Sequence, residues 1–470
     1  MTRHAYNITD LAVKTSHPHK FKELILFVKL LQKYKNHLYY LCIFVKANIF
    51  VQNLYQVYGI VKLLQINMIM KFAIIKERKN PPDRRVVLPP QACKELLKTF
   101  PEMEIKVESS NHRAFNEASY LKEGIEVSDQ INDCEVLLGV KEVPIDNLVP
   151  NKKYFFFSHT IKEQPYNRDL LKAVLEMNIE LYDHEVITNS KGIRLVAFGR
   201  YAGIVGAYNG VRTYGLKTKL FDLPKASTLH DKKELISQLN SITLPKIKII
   251  LTGKGRVSNG AKEMLDGMGV KEVSVDDYLH KDFDEAVYAQ IDVLDYNKRK
   301  DGKVIDMYDF FDNPTEYKSD FMRFAKVSDL YIAGHFYGTG APYIFTREDA
   351  KDSNFKIKVV ADISCDIDGP VVSTLRASTI ADPIYGYNAQ NELEVDYIND
   401  KAIAVMAVDN LPNELPIDAS LGFGDNFVKH VIPAFFNGDK DGILERARMT
   451  QNGKLTKNFS YLQDYVDGNN

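Results

Sequence analysis

From Met70 onward, short apolar runs alternate with stretches of helical length, and no other feature restricts the fold as strongly. "KFAIIKE" (71–77), "EIKVESS" (104–110), "CEVLLGV" (134–140), "KYFFFS" (153–158) and "IELYDHE" (179–185) read as strands. "PPQACKELLKTF" (89–100) lies between the first two, with proline in its first turn and Ala92, Leu96 and Leu97 spaced along one face. "NRDLLKAVLEMN" separates the last two as a helix. Strands and helices in this order predict an α/β protein with parallel sheets covered by helices on both faces.

A second unit begins at residue 199. "GRYAGIVGAYNGVRTYG" (199–215) reads as a helix whose small residues permit close packing. "PKIKIILTGKGRVSNGAKEMLDGMGVKEVSVDD" (245–277) reads as strand, loop, helix and second strand. Further alternation runs through "DLYIAGHF" (329–336) and "KIKVVADISCD" (356–366), and an acidic tail occupies about 375–470.

Composition excludes several classes. With 45% hydrophobic and 26% charged residues, the chain is of ordinary soluble type, and a formal net charge of −1 offers no general attraction to nucleic acid. Residues 1–69 stand apart: nine Lys/Arg against Asp10 and Glu23 give +7, leaving −8 for the remainder. Lysines interrupt the apolar runs of this segment before they reach membrane-spanning length. Met70 directly precedes a clean strand, so residues 1–69 are expected to be an extension upstream of the working protein. Cys42, Cys93, Cys134 and Cys365 form no CxxC pair, which argues against a disulfide framework or zinc site and for a cytoplasmic protein without metal.

The loop "TGKGRVSNG" has the spacing GxGxxxxG: Gly253 and Gly255 follow a strand, and Gly260 lies near the start of a helix. Glycines let the backbone turn and approach a pyrophosphate, while the helix N-terminus offers unpaired N–H groups. Asp276 and Asp277, expected at the end of the second strand, could bind an adenosine ribose and would repel a 2′-phosphate. This favours NAD, with NADP possible; a tight turn with a solvated acid pair is the plainer alternative.

Lys141 follows the strand "CEVLLGV", and His159 follows "YFFFS". Side chains just beyond the carboxyl ends of parallel strands line the ligand crevice, so the two could share proton transfer. A capping histidine and a solvated lysine explain the same spacing. Arg84, Arg85 and Arg194 could each hold a carboxylate through paired hydrogen bonds, or could be surface charges. Glu185 and Asp362 are equally ambiguous when taken singly.

Taken together and in order, "FFFSHTIKEQ", "IRLVAFGRYAGIVG", "TGKGRVSNGA", "ADISCDIDGP" and "AVDNLPNELPIDASLGFGD" resemble the saccharopine-forming lysine–ketoglutarate reductases and the lysine-forming saccharopine dehydrogenases. More distantly the chain is similar to alanine dehydrogenase and the transhydrogenase N-terminal region. The resemblance covers about 70–460. It implies two Rossmann-like domains with the active site in the cleft between them: 70–198, completed by about 375–470, as the substrate domain, and 199–374 as the dinucleotide domain. It implies that lysine and 2-oxoglutarate condense to an imine, which a nicotinamide cofactor reduces reversibly to saccharopine. Lys141 and His159 fall on the family's acid–base pair, Arg85 and Arg194 on its substrate arginines, and Glu185 on an acid that tunes the pair. Gly253, Gly255 and Gly260 fall on its dinucleotide loop, and Asp362 lies in the segment lining the nicotinamide side.

The reductase resemblance carries an NADP expectation that the Asp276/Asp277 pair does not suit. It also implies a product handed to a separate downstream dehydrogenase, since the chain stops at residue 470. Two other functions fit the same fold. One is an alanine dehydrogenase-like enzyme using ammonia and a small 2-oxo acid. The other is a nicotinamide-binding protein without catalysis, which would have no need of both Lys141 and His159.

Overall fold

The computed structural model describes residues 69–469. The expectation for residues 1–69 therefore falls, except for Ile69, outside the described residues.

Period-two burial builds the first sheet. Phe72 and Ile74 pack into one apolar cluster while Ala73 and Ile75 pack into another on the opposite face. The aromatic run behaves alike: Phe155 and Phe157 face the first cluster, Tyr154 and Phe156 the second. A strand buried on both faces reads as a continuous apolar run, as these do. The strands are β1 (Met70–Ile74), β2 (Met103–Val107), β3 (Glu126–Val127), β4 (Val136–Lys141), β5 (Lys153–Phe157) and β6 (Glu180–Asp183). They pair in the order β3-β2-β1-β4-β5-β6, parallel throughout. Helix α1 (Pro90–Thr99) starts on Pro90, whose ring fixes φ and whose missing N–H is not needed there, and α2 (Arg168–Glu176) leads from β5 to β6.

The second sheet contains β7 (Lys248–Thr252), β8 (Lys271–Glu272) and β9 (Val287–Ile291). After a short hairpin of β10 (Asn297–Arg299) and β11 (Tyr317–Ser319) come β12 (Leu330–Ala333) and β13 (Val359–Asp362). It ends with β14 (Ile384–Asn388), β15 (Leu393–Val395) and β16 (Ala402–Met406), in the order β15-β14-β16-β13-β12-β7-β9-β8. β14 alone runs against the direction of the other strands of this sheet. Residues 384–406 thus extend the second sheet, whereas the sequence suggested that everything after about 375 returns to the first unit. The apolar strand "AIAVM" is buried along its whole length between β13 and β14.

The return happens later. Helix α7 (Pro416–Asn426) brings Phe423 onto Phe198 at 4.5 Å, and beyond it Phe435 meets Phe72 edge-on at 5.2 Å. Thr450 then hydrogen bonds the backbone of Ile179 and Leu181 beside β6.

Helix α3 (Gly199–Thr218) connects the two sheets and lies against α4 (Arg256–Gly267). The glycines make the approach possible: a Cβ on Gly203 would sit 1.8 Å from the Val257 carbonyl, and one on Gly260 2.0 Å from the Arg200 carbonyl. Among the described residues no helix is long and apolar enough to cross a membrane.

Candidate active site

Each sheet has a point where strand order reverses, and the crevice beyond the strand ends at such a point is where open α/β sheets bind ligands. In the first sheet it lies between β1 and β4, in the second between β7 and β12.

Lys141 is the last residue of β4. Burial lowers the affinity of its amine for a proton, and the Arg85 cation lowers it further. The backbone N–H groups of Val140 and Lys141 donate to the Glu77 carboxylate at 2.7 and 2.9 Å. Burial, then the neighbouring Asp83, raise Glu77 to about 7. Glu142, next to Lys141, pairs with Lys79 and is stabilised as an anion in part by His159. It joins the lysine and histidine neighbourhoods.

His159 follows β5 in a left-handed conformation, φ 56°. Its Nδ1 lies 3.7 Å from Glu185 Oε2. Glu185, in the turn after β6, also faces Lys162 at 3.7 Å and Arg194 at 3.8 Å. Burial alone would raise this carboxyl; His159, Lys162 and Arg194 override it and hold it at about 2. Burial lowers the Arg194 pKa, and its guanidinium lies over Phe157. His159, Glu185 and Arg194, named from separate stretches, therefore meet.

Arg85 is placed otherwise than a free substrate arginine. Nε and Nη2 bind Asp83 at 2.9 and 2.6 Å, Nη2 also binds Asn410 Oδ1 at 2.9 Å, and the guanidinium lies 4.2 Å above Phe198. Burial would raise Asp83, yet Arg85 holds it at about 2. Asn410 belongs to the "DNLPNELP" loop after β16, so this cluster ties the two sheets together.

The second wall is built from absence of side chains. Gly253 has φ 94°, and a Cβ there would stand 2.8 Å from the Gly334 carbonyl. At Gly255 a Cβ would meet nothing within 4 Å, and no side chain caps the helix that starts at Arg256. Open space in front of uncapped N–H groups fits a dinucleotide pyrophosphate. Gln290 donates to the Gly253 carbonyl at 3.0 Å, and Ser258 to the same oxygen at 2.6 Å, which fixes the loop.

Residues 73–205, which include most of the first sheet, match the family model "Alanine dehydrogenase/PNT, N-terminal domain". The mouse mitochondrial alpha-aminoadipic semialdehyde synthase is 27% identical over 443 residues, covering 83% of this chain and 47% of that protein. The Arabidopsis thaliana alpha-aminoadipic semialdehyde synthase is 28% identical, with 83% and 41% covered. The Candida albicans saccharopine dehydrogenase [NAD(+), L-lysine-forming] is 25% identical, covering 80% of this chain and 94% of the relative. The chain is a homologue of both groups. It spans less than half the length of the mouse and Arabidopsis relatives. A solved L-alanine dehydrogenase shares the fold, with a TM-score of 0.59, 16% identity, and 85% and 99% of the two chains covered.

Two acids depart from their expected places. Asp276 and Asp277 do not end a strand: β8 stops at Glu272, and both lie in the first turn of α5 (Val275–His280). Asp276 faces His280 at 3.1 Å and Asp277 faces Lys281 at 2.7 Å, out in solvent. The strand beside β7 is β9, not β8, so the acid next to the glycine loop is Asp292, directly after β9. Gly253 N–H donates to the carbonyl of the preceding Ile291 at 2.7 Å. Asp292 caps the short helix α6 (Val293–Tyr296), and an acid directly after an apolar strand is the signal that could have found it. Asp362, at the end of β13, is fully buried and accepts from Ser364, Cys365 and Thr374, so it shapes the loop rather than presenting its carboxylate. Glu142 and Lys162 were legible only as neighbours of Lys141 and His159.

Proposed function

We propose that the chain is a nicotinamide-dependent oxidoreductase of the CH–NH bond, joining lysine and 2-oxoglutarate reversibly to saccharopine. One observation carries the reading: a desolvated lysine ends β4 at the strand-reversal crevice of the first sheet, and a histidine–glutamate pair follows the adjacent strands β5 and β6. Similarity to an L-lysine-forming saccharopine dehydrogenase over 94% of that protein supports it.

Condensation requires the substrate ε-ammonium to lose a proton before nitrogen attacks the keto carbon. Lys141, its basicity lowered by burial, accepts that proton. His159, oriented by Glu185, donates to the carbinolamine hydroxyl, which leaves as water and gives the iminium. A nicotinamide, when bound, supplies the hydride that this carbon accepts. Arg194, on the rim with Glu185, is assigned to a substrate carboxylate; Arg85 would contribute the N–H groups that Asp83 leaves it. Gly253, Gly255 and the start of α4 would hold the pyrophosphate, and Asp292 the adenosine ribose, which favours NAD over NADP. Cys93, Cys134 and Cys365 are free thiols, in keeping with a cytoplasmic enzyme.

NADH absorbance decides. Oxidation that needs lysine and 2-oxoglutarate together supports the reading. Oxidation with ammonia and pyruvate instead would replace it with an alanine dehydrogenase-like reaction.

A further inference from the structure

The catalytic assignment leaves a buried carboxylate behind the His159–Glu185 pair without a part. Asp183, the last residue of β6, is fully buried, and no cation is among its hydrogen-bond partners. Its Oδ2 accepts from the Ser158 backbone N–H at 2.8 Å and the Ser158 hydroxyl at 2.5 Å. Its Oδ1 accepts from the Glu185 backbone N–H at 2.7 Å. The Ser158 oxygen accepts in turn from the Thr160 N–H at 3.2 Å and lies 2.7 Å from Thr160 Oγ1.

These bonds enclose His159. Ser158 and Thr160 flank it, both wholly buried, and between them the histidine holds φ 56°, a region that non-glycine residues occupy only when their surroundings impose it. The other arm of Asp183 reaches the backbone of Glu185, the residue that faces His159 Nδ1. A carboxylate is the group this place needs, because both of its oxygens must accept and neither may donate.

We propose that Asp183 is the positioning residue of the His159–Glu185 pair: one buried carboxylate fixes the histidine loop with one oxygen and the glutamate backbone with the other. The inference rests on the proton-transfer role proposed for His159. Its consequence is that the separation of the pair is set from behind, by a residue that never meets substrate. Burial, with the Glu185 charge, raises Asp183, and the hydrogen bonds from Ser158 and Glu185 oppose that rise.

The test uses the full chain, labelled at histidine with ¹⁵N and ¹³C, as wild type, Asp183→Asn, Ser158→Ala and the double variant. Asparagine keeps the size but puts an amide donor against either the Ser158 or the Glu185 donors, so one arm of the linkage is lost. Expected for Asp183→Asn is a fall in kcat of about 10- to 100-fold with KM for NADH unchanged, and a displaced His159 ring resonance. Ser158→Ala should lower kcat by about 3- to 10-fold, and the double variant should be no worse than Asp183→Asn alone, since both cut one linkage. A folded Asp183→Asn protein with kcat within about 2-fold and an unmoved resonance overturns the proposal. If Asp183→Asn does not fold, Ser158→Ala decides by the same two readouts. If the wild type reduces no imine, the reaction reading falls, and the His159 resonance alone decides the role of Asp183.

Discussion

The two walls of the site are made of opposite materials. Beyond the first sheet, strand ends carry Glu77, Lys141, His159, Asp183 and Glu185, titratable groups held in or near the core. Beyond the second, the loop itself is Gly253, Gly255, Gly334 and the hydroxyl of Ser258, with Asp292, His335 and Asp362 at the strand ends around it. Proton transfer needs charges whose affinities are shifted by burial and by each other, so it needs side chains. Cradling a pyrophosphate needs backbone N–H groups to come close, so it needs side chains removed. The contrast predicts that chemistry and cofactor binding fail separately, one wall at a time.

The largest effect belongs to the charged wall. Lys141→Met should lower kcat by about 10²- to 10⁴-fold. NADH affinity, read by fluorescence titration, should stay within about 2-fold, because no cofactor contact is assigned to this wall. A matching loss of NADH affinity would break the division.

Acid–base behaviour sharpens the same contrast. Glu77 binds a proton more tightly folded than unfolded, about 7 against 4.5. The stability it contributes is complete below about pH 4.5, drains away as pH rises, and is gone above about 7; its ceiling is about 3 kcal/mol. Glu414, raised to about 7 by burial, adds a term of the same sign. Glu77→Gln should therefore flatten the fall in thermal midpoint between pH 5 and 7.5, leaving the Glu414 share. An unchanged slope would mean that Glu77 is not desolvated.

On the glycine wall, Gly260→Ala puts a methyl 2.0 Å from the Arg200 carbonyl, where backbone must yield. Separation of α3 from α4 should cost about 1–3 kcal/mol and weaken NADH binding, both measurable by thermal unfolding with and without cofactor. Chemistry per bound cofactor, from single-turnover rates at saturating NADH, should persist.

Much of this was legible in the sequence, and the failures have a common cause. Apolar runs located β1, β4, β5 and β6 to within a few residues, since a doubly buried strand has no alternative composition. The positions of Lys141 at the end of β4 and His159 after β5 were legible because the apolar runs before them were. What linear spacing could not carry was strand order. Counting from Gly253 led to Asp276 and Asp277 on the assumption that the next strand in sequence is the next in space. The short β8 lies at the sheet edge instead, with β9 between it and β7. Arg85 was legible only in part: "PDRR" does not reveal that Asp83, two residues back, folds under the guanidinium and takes two of its nitrogens.

Strand order gives the two smallest predictions. Asp292→Asn removes the carboxylate directly after β9 while keeping a side chain able to cap α6. It should weaken NADH binding and narrow the NADH-over-NADPH preference by about 10-fold, the worth of a hydrogen bond to a charged acceptor. The paired change Asp276→Asn with Asp277→Asn should leave that preference within about 2-fold, because these carboxylates pair with His280 and Lys281 in solvent. The two experiments are informative only together. If the paired change shifts cofactor choice and Asp292→Asn does not, the ribose lies over α5, spacing along the chain was the better guide, and the place assigned to the cofactor on the second sheet is wrong. If neither shifts it, the 2′ position is read by no acid beside the loop, and the NAD preference must come from elsewhere on the glycine wall.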